Sequence, residues 1–133
     1  MCLCLIVIKR AKYLKKHDIL YHIGNNCMSM FRKIPLYPKL ISFGDNAWIA
    51  SDVSFVSHDV IHRMLNNKLS GFQEYLGCID IKDNVFVGAN STILLNATIG
   101  SDTIVAAGTL VNKSISGDAL VSLLTISDSL MSL

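Results

Sequence analysis

Residues 81–115 read IKDNVFVGANSTILLNATIGSDTIVAAGTLVNKSI, and a Val or Ile stands at every sixth position of this stretch. These residues are Ile81, Val87, Ile93, Ile99, Val105 and Val111. A second series of small or β-branched residues lies four places after the first: Val85, Ser91, Ala97, Thr103, Thr109 and Ile115. Turn-forming residues separate the two series, and among them Gly88 and Gly108 are first of all turn residues able to adopt positive φ.

A repeat of six residues is arithmetically compatible with both the helix and the strand period, so the residue types must decide between them. Val, Ile, Thr, Asn and Gly dominate the repeat and are poor helix formers, whereas β-branched residues suit a pleated, half-buried surface. A short strand and a corner every six residues would wind the chain around an axis. Successive coils would then hydrogen-bond at a spacing of about 4.8 Å. The pattern is typical of a β-helix of hexapeptide repeats.

The hexapeptides VGANST, ILLNAT, IGSDTI and VAAGTL resemble those of the hexapeptide-repeat (left-handed β-helix) acyltransferases. The sequence SDVSFVSHDVIHRMLNNK at residues 51–68 is most similar to polysaccharide O-acetyltransferase-like members, close to the maltose and xenobiotic acetyltransferases. This resemblance implies an all-β, left-handed parallel β-helix with three hexapeptides per triangular coil. In that register Ile81 lies on Ile99, Val87 on Val105 and Ile93 on Val111.

The 133 residues are predicted to form a single domain with five segments. Residues 1–22 form a basic helical cap, residues 23–58 the first part of the β-helix, and residues 59–80 a protruding loop. Residues 81–116 supply two regular coils, and residues 117–133 an atypical C-terminal tail. A loop of this length in a compact domain is usually functional.

Composition narrows the choice of partners. The net charge of +2 is too small to indicate nucleic acid binding, whereas the 51% hydrophobic content predicts that neighbouring subunits bury part of the surface. The triangular β-helix that the resemblance implies offers its groove to one neighbour per subunit, so we expect a homotrimer. Four cysteines without a paired CxxC motif indicate free thiols in a reducing compartment, so we expect a cytoplasmic protein. The basic stretch near the N-terminus either caps the coil or, less favoured, contacts a membrane or acidic polymer.

His58 ends the weaker repeat in FVSHD, where the predicted loop begins. In the family that the chain resembles, a histidine at such a place is the general base. A neutral imidazole can remove a proton from a sugar hydroxyl at neutral pH. Either the Asp59 carboxylate or a backbone carbonyl is expected to orient its ring. His62 lies four residues later, a spacing that two metal ligands on a helix share, but a catalytic zinc needs three ligands, and no metal is expected.

The resemblance implies acetyl-CoA as the acyl donor. By position, Ala89, Ala107, Asn112 and Lys113 correspond to the residues that line the CoA groove between neighbouring β-helices. Small residues there would allow close approach of an extended pantetheine arm. Lys113 would meet a CoA phosphate or be an ordinary solvated lysine.

The predicted function is transfer of an acetyl group from acetyl-CoA to a hydroxyl of a sugar or polysaccharide precursor. Three alternatives stay open: N-acetylation of an amino sugar, a catalytically impaired β-helical scaffold, and a zinc-dependent lyase or hydratase. The scaffold alternative depends on the C-terminal stretch, which lacks the terminal motif that relatives use to hold CoA. The irregular stretch from Asp59 to Cys78 would build the acceptor pocket, so the repeats do not name the acceptor.

Overall fold

The computed structural model describes residues 2–121, with only the backbone of residues 2–4. Most of the predicted C-terminal tail, residues 117–133, therefore lies outside the described residues. The elements, in chain order, are α1 (Cys2–Lys16), β1 (His22–Ile23), β2 (Met28–Ser29), a 3₁₀ turn (Pro38–Leu40), β3 (Ile41–Phe43), β4 (Trp48–Ile49), β5 (Ser54–Val56), α2 (Ile61–Asn66), β6 (Ile79–Ile81), β7 (Val85–Val87), β8 (Thr92–Leu94), β9 (Thr98–Ile99), β10 (Thr103–Val105), β11 (Leu110–Val111) and β12 (Leu120–Val121).

The strands form three parallel sheets, each of which takes one strand from successive coils. Sheet A has the order β1-β3-β6-β9, sheet B the order β2-β4-β7-β10-β12, and sheet C the order β5-β8-β11. Consecutive strands thus lie in different sheets, and the chain winds around a common axis. The predicted stacking is confirmed, because Ile81 pairs with Ile99, Val87 with Val105 and Ile93 with Val111.

The core lies inside the coil, where the aliphatic series points inward. Ile81, Val87, Ile93, Ile99 and Val105 are all fully buried. At the N-terminal end, α1 packs against β1 and β2 and buries Val7, Ala11 and Leu14. The helix therefore covers the first coil, whose inner residues would otherwise be exposed. No helix among the described residues is long and apolar enough to cross a membrane.

Most corners turn through a residue in the left-handed conformation, three places after an inward apolar residue. These residues are Asn26, Asn46, Asp52, Asn84, Asn90, Asn96, Asp102, Gly108 and Asp118, with φ between 55° and 71°. Asn and Asp tolerate this conformation better than other residues with a Cβ. Gly108 uses its capacity for a positive φ, whereas Gly88 does not. Gly88 is needed for space instead, because an added Cβ would lie 2.4 Å from the Ala107 amide nitrogen.

Two predicted boundaries need correction. The regular coils begin with β6 at Ile79, so the protruding loop comprises residues 59–78 instead of 59–80. The six-residue spacing also ends at Val111, because Ile115 forms a parallel bridge with Ile99 and takes the place of the first series. Only three residues separate Val111 from Ile115, so this corner is two residues shorter than the others. The Ser114 hydroxyl lies in it, 3.0 Å from the Thr98 amide nitrogen.

Two irregular segments interrupt the winding. The connection at residues 30–40 stands where the first coil would place its third strand, and the loop at residues 59–78 leaves the coil between β5 and β6. The loop contains α2 and then returns to the coil. Its return lies beside the residues that follow β5, which is where His58 is found.

Candidate active site

His58 lies two residues after the end of β5, at the base of the loop. It forms an antiparallel bridge with Leu76 on the returning arm. On either side of it, the Gly77 amide donates to the Ser57 carbonyl at 2.9 Å, and the Asp59 amide donates to the Tyr75 carbonyl at 3.2 Å. These backbone hydrogen bonds hold the two arms of the loop together and so fix the backbone of His58.

The imidazole of His58 is half-buried, and its Nδ1 atom is buried without a hydrogen-bond partner in the described part of the chain. The Asp59 carboxylate accepts a hydrogen bond from the Ile61 amide at 3.2 Å, at the start of α2. Neither Asp59 nor a backbone carbonyl therefore orients the His58 ring, and that expectation is wrong. Nε2 is the ring nitrogen left for an acceptor to approach.

A tyrosine that the sequence patterns do not identify contacts this histidine. The rings of Tyr37 and His58 lie edge to face, with centroids 5.2 Å apart and planes at 77°. The Tyr37 hydroxyl donates to Glu74 Oε1 at 3.0 Å. That hydrogen bond and the negative charge of Glu74 raise the pKa of Tyr37, so the phenol keeps its proton. Tyr37 comes from the irregular connection and Glu74 from the loop, which explains why no repeat pointed to them.

The geometry gives no support to a metal at His62. His62 lies on α2, and its Nδ1 atom is buried and unpaired within residues 2–121. Across those residues no group of three or more His, Cys, Asp or Glu side chains is placed to hold a metal ion. Cys27 and Cys78 are free thiols, and burial is the main cause that raises the pKa of Cys27.

The residues predicted to contact the donor fall into two groups on opposite sides of sheet C. Ala89 and Ala107 stack at the B–C corner (residues 50–52, 88–90 and 106–108), where the Gly108 amide donates to the Ala89 carbonyl at 2.8 Å. Asn112 and Lys113 follow β11 at the C–A corner (residues 57–59, 95–97 and 112–114). His58 lies at this second corner, two coils away from Asn112, or about 10 Å at the usual strand spacing.

One outer face of the coil is apolar over its whole height. The outward residues of sheet B form a ladder in strand register, which we call the sheet B stripe: Met28, Trp48, Phe86, Ile104 and Leu120. Trp48 and Phe86 are each 40% exposed, Ile104 52% and Leu120 66%. A continuous ladder of large exposed apolar side chains is unusual on an isolated soluble domain and indicates a contact surface.

The chain forms a three-sided parallel coil with Asn, Asp or Gly at most of its corners. Comparisons with known proteins show that it is a homologue of acetyltransferases. No protein-family model matches it. The chain is 34% identical over 87 residues to YvoF of Bacillus subtilis, which is provisionally named an acetyltransferase, and the match covers 65% of this chain and 45% of that protein. It is 32% identical over 96 residues to the galactoside O-acetyltransferase of Escherichia coli, covering 71% of this chain and 45% of that protein.

A solved structure shows the same fold. The hexapeptide-repeat acetyltransferase of Vibrio cholerae superimposes with a TM-score of 0.57 at 20% identity, over 92% of this chain and 88% of that one. That protein has also been solved in complex with acetyl-coenzyme A, and this second structure matches with a TM-score of 0.55. At such low identity the likeness concerns the fold alone. The chain spans about half the length of the curated relatives it matches.

Proposed function

We propose that this protein is a CoA-dependent acetyltransferase that moves an acetyl group from acetyl-CoA to a hydroxyl of a sugar or polysaccharide precursor. The observation that carries the proposal is the position of His58, with one ring nitrogen accessible, where the coil gives way to the loop at residues 59–78. The two curated relatives support acetyl transfer, and one of them is named for a galactoside acceptor. In this proposal the coil is left-handed, as the resemblance implies.

The proposed acetyl transfer needs a single general base. His58 Nε2 takes the proton of the acceptor hydroxyl while the hydroxyl oxygen attacks the thioester carbonyl carbon of acetyl-CoA. The carbon–sulfur bond then breaks, the acetyl ester remains on the acceptor, and the imidazolium returns its proton to the CoA thiolate. Sugar hydroxyls are weak nucleophiles, so removal of this proton during attack is the step that the enzyme must assist. No acetyl-enzyme intermediate is required.

A second copy of the chain would complete the donor site. Ala89 and Ala107 lie at one edge of sheet C, and Asn112, Lys113 and His58 at the other. A repeated contact that closes into a ring of three would bring the first edge of one copy beside the second edge of the next. The pantetheine arm would lie in the groove between the copies, along small residues, with Lys113 near a phosphate. The sheet B stripe supports a homotrimer, because assembly would bury it.

Release of CoA thiol from acetyl-CoA tests the proposal, with sugars, amino sugars and nucleotide sugars as acceptors. We expect turnover with a hydroxyl acceptor, and His58→Ala should lower kcat by about 10² to 10⁴. The matched control is His17→Ala on α1, which should be fully active because His17 contacts Tyr13 and not the site. A fully active His58→Ala protein would refute the base. Calorimetric binding of CoA without turnover on any acceptor would favour the scaffold alternative.

A further inference from the structure

His58 lacks the contact that commonly holds a catalytic imidazole. In most such sites a carboxylate or a carbonyl accepts a hydrogen bond from the second ring nitrogen and fixes the ring. Here the Nδ1 atom has no such partner within residues 2–121, and Asp59 is engaged with the Ile61 amide. The ring therefore needs another means of orientation, since misplacement of a catalytic group by about 1 Å can cost a factor of about 10² in rate.

The Tyr37 ring supplies a directional contact. An edge-to-face pair has a preferred range of centroid distances and ring angles, because the positive edge of one ring is attracted to the negative face of the other. The centroid distance of 5.2 Å and the angle of 77° between Tyr37 and His58 fall in that range. Of the aromatic residues the structure describes, Tyr37 is the one in ring contact with His58.

Tyr37 is itself fixed at both ends. Its backbone carbonyl accepts a hydrogen bond from the Leu40 amide at 3.1 Å, in the 3₁₀ turn that follows, and Pro38 limits the backbone beside it. Its hydroxyl is held by Glu74, 37 residues further along the chain. The hydrogen bond between Tyr37 and Glu74 joins the connection at residues 30–40 to the loop at residues 59–78, beside His58. A side chain restrained in this way can transmit its position to the imidazole.

We propose that Tyr37 is the positioning residue of His58, and that Glu74 holds the Tyr37 ring in place. This inference deepens the proposed function, since it assigns the orientation of the base to a tyrosine in place of a carboxylate. The phenol hydroxyl acts only through Glu74, and the contact with His58 is made by the ring. The two can therefore be separated by substitution.

The test compares Tyr37→Leu with Tyr37→Phe. Loss of the ring in Tyr37→Leu should lower kcat about 10- to 100-fold, with the KM for acetyl-CoA changed by less than about twofold because the donor residues lie elsewhere. Tyr37→Phe keeps the ring but loses the hydrogen bond to Glu74, so its kcat should fall only about threefold to tenfold. Tyr13→Leu is the matched control, because Tyr13 also stacks on a histidine, His17, with centroids 4.2 Å apart. Wild-type kcat in Tyr37→Leu, or an equal loss in Tyr37→Phe, would overturn the proposal.

NMR of the histidine rings separates this inference from the proposed function. The His58 Hε1 resonance should move in Tyr37→Leu, move less in Tyr37→Phe, which keeps the ring, and be unaffected by Tyr13→Leu. A His58 resonance that ignores Tyr37→Leu would refute positioning even if the wild-type protein is active. A wild-type protein that transfers no acetyl group would refute the function, while the spectrum still decides the contact.

If Tyr37→Leu does not fold, Glu74→Ala gives the second test. It removes the hydrogen bond that restrains the ring and should lower kcat about threefold to tenfold, a smaller loss than full displacement of the base would cause. The His58 resonance should broaden or move in the same variant. Wild-type kcat together with an unchanged spectrum would contradict the role of Glu74.

Discussion

The regular coils at residues 79–111 differ in burial and in proposed role from the two irregular segments at residues 30–40 and 59–78. In the coils, inward side chains such as Ile81 and Ile93 are completely buried, and every strand is hydrogen-bonded to a strand of at least one neighbouring coil. In the loop most residues are exposed, yet it holds Glu74 and returns beside His58. Stability therefore resides in the repeats and the proposed chemistry in their interruptions.

Truncating an isoleucine in each region should show the largest contrast. Ile81→Ala removes a fully buried side chain from the coil and should lower the free energy of unfolding by about 2–5 kcal/mol. Ile61→Ala makes the same chemical change on α2, where the side chain is 54% exposed, and should cost less than about 0.5 kcal/mol. Urea unfolding at a fixed protein concentration measures both. Equal losses would mean that the loop is as much a part of the core as the coil.

The same contrast explains what the sequence could predict. A fixed spacing makes every coil repeat the last, so Ile81, Val87 and Ile93 could be placed on their partners from the repeat alone. The pair of Tyr37 and Glu74 follows no spacing, because both residues lie in irregular segments whose paths depend on tertiary contacts. The assignment of Ile115 to the second series was wrong, because the corner between Val111 and Ile115 is two residues shorter than the others. The structure shows this through the bridge between Ile99 and Ile115.

The contact surface of the coil should be the next most sensitive feature. Phe86→Lys places a charge in the middle of the sheet B stripe, beside Trp48 and Ile104. If copies of the chain associate through this face, the substitution should weaken assembly by about 2 kcal/mol or more per contact, as expected for a central aromatic residue. Sedimentation velocity should then show smaller species at micromolar concentration, with loss of acetyl transfer. Phe72→Lys in the loop is the matched control and should leave the assembly intact.

Two glycines of adjacent coils should respond differently, although both were expected to be turn residues of one kind. Gly88→Ala forces a Cβ against the Ala107 backbone and should cost about 1–3 kcal/mol, as overpacking does. Gly108→Asn should cost less than about 0.5 kcal/mol, because asparagine already occupies the equivalent corner position at Asn90 with φ of 59°. Thermal unfolding of the two variants distinguishes crowding from backbone conformation. A greater loss in Gly108→Asn would reverse that assignment.

The smallest effect should come from the polar outer face of sheet A, where Asp80 has a lowered pKa. Partial burial acts to raise this pKa, but hydrogen bonds from Lys82 Nζ and from Ser42 Oγ, the latter at 2.7 Å, outweigh it and hold the pKa below its ordinary 3.8. Because the folded pKa is the lower one, the ionised carboxylate stabilises the fold above about pH 4, and this contribution disappears as the pH falls through the folded pKa. Asp80→Asn should therefore lower the free energy of unfolding at pH 7 by less than about 1 kcal/mol, since the ion pair between Lys82 and Asp80 is partly exposed. Urea unfolding should show the difference from wild type shrinking between about pH 4 and pH 2. A difference that stays constant over this range would assign the loss to packing of the amide instead of the charge.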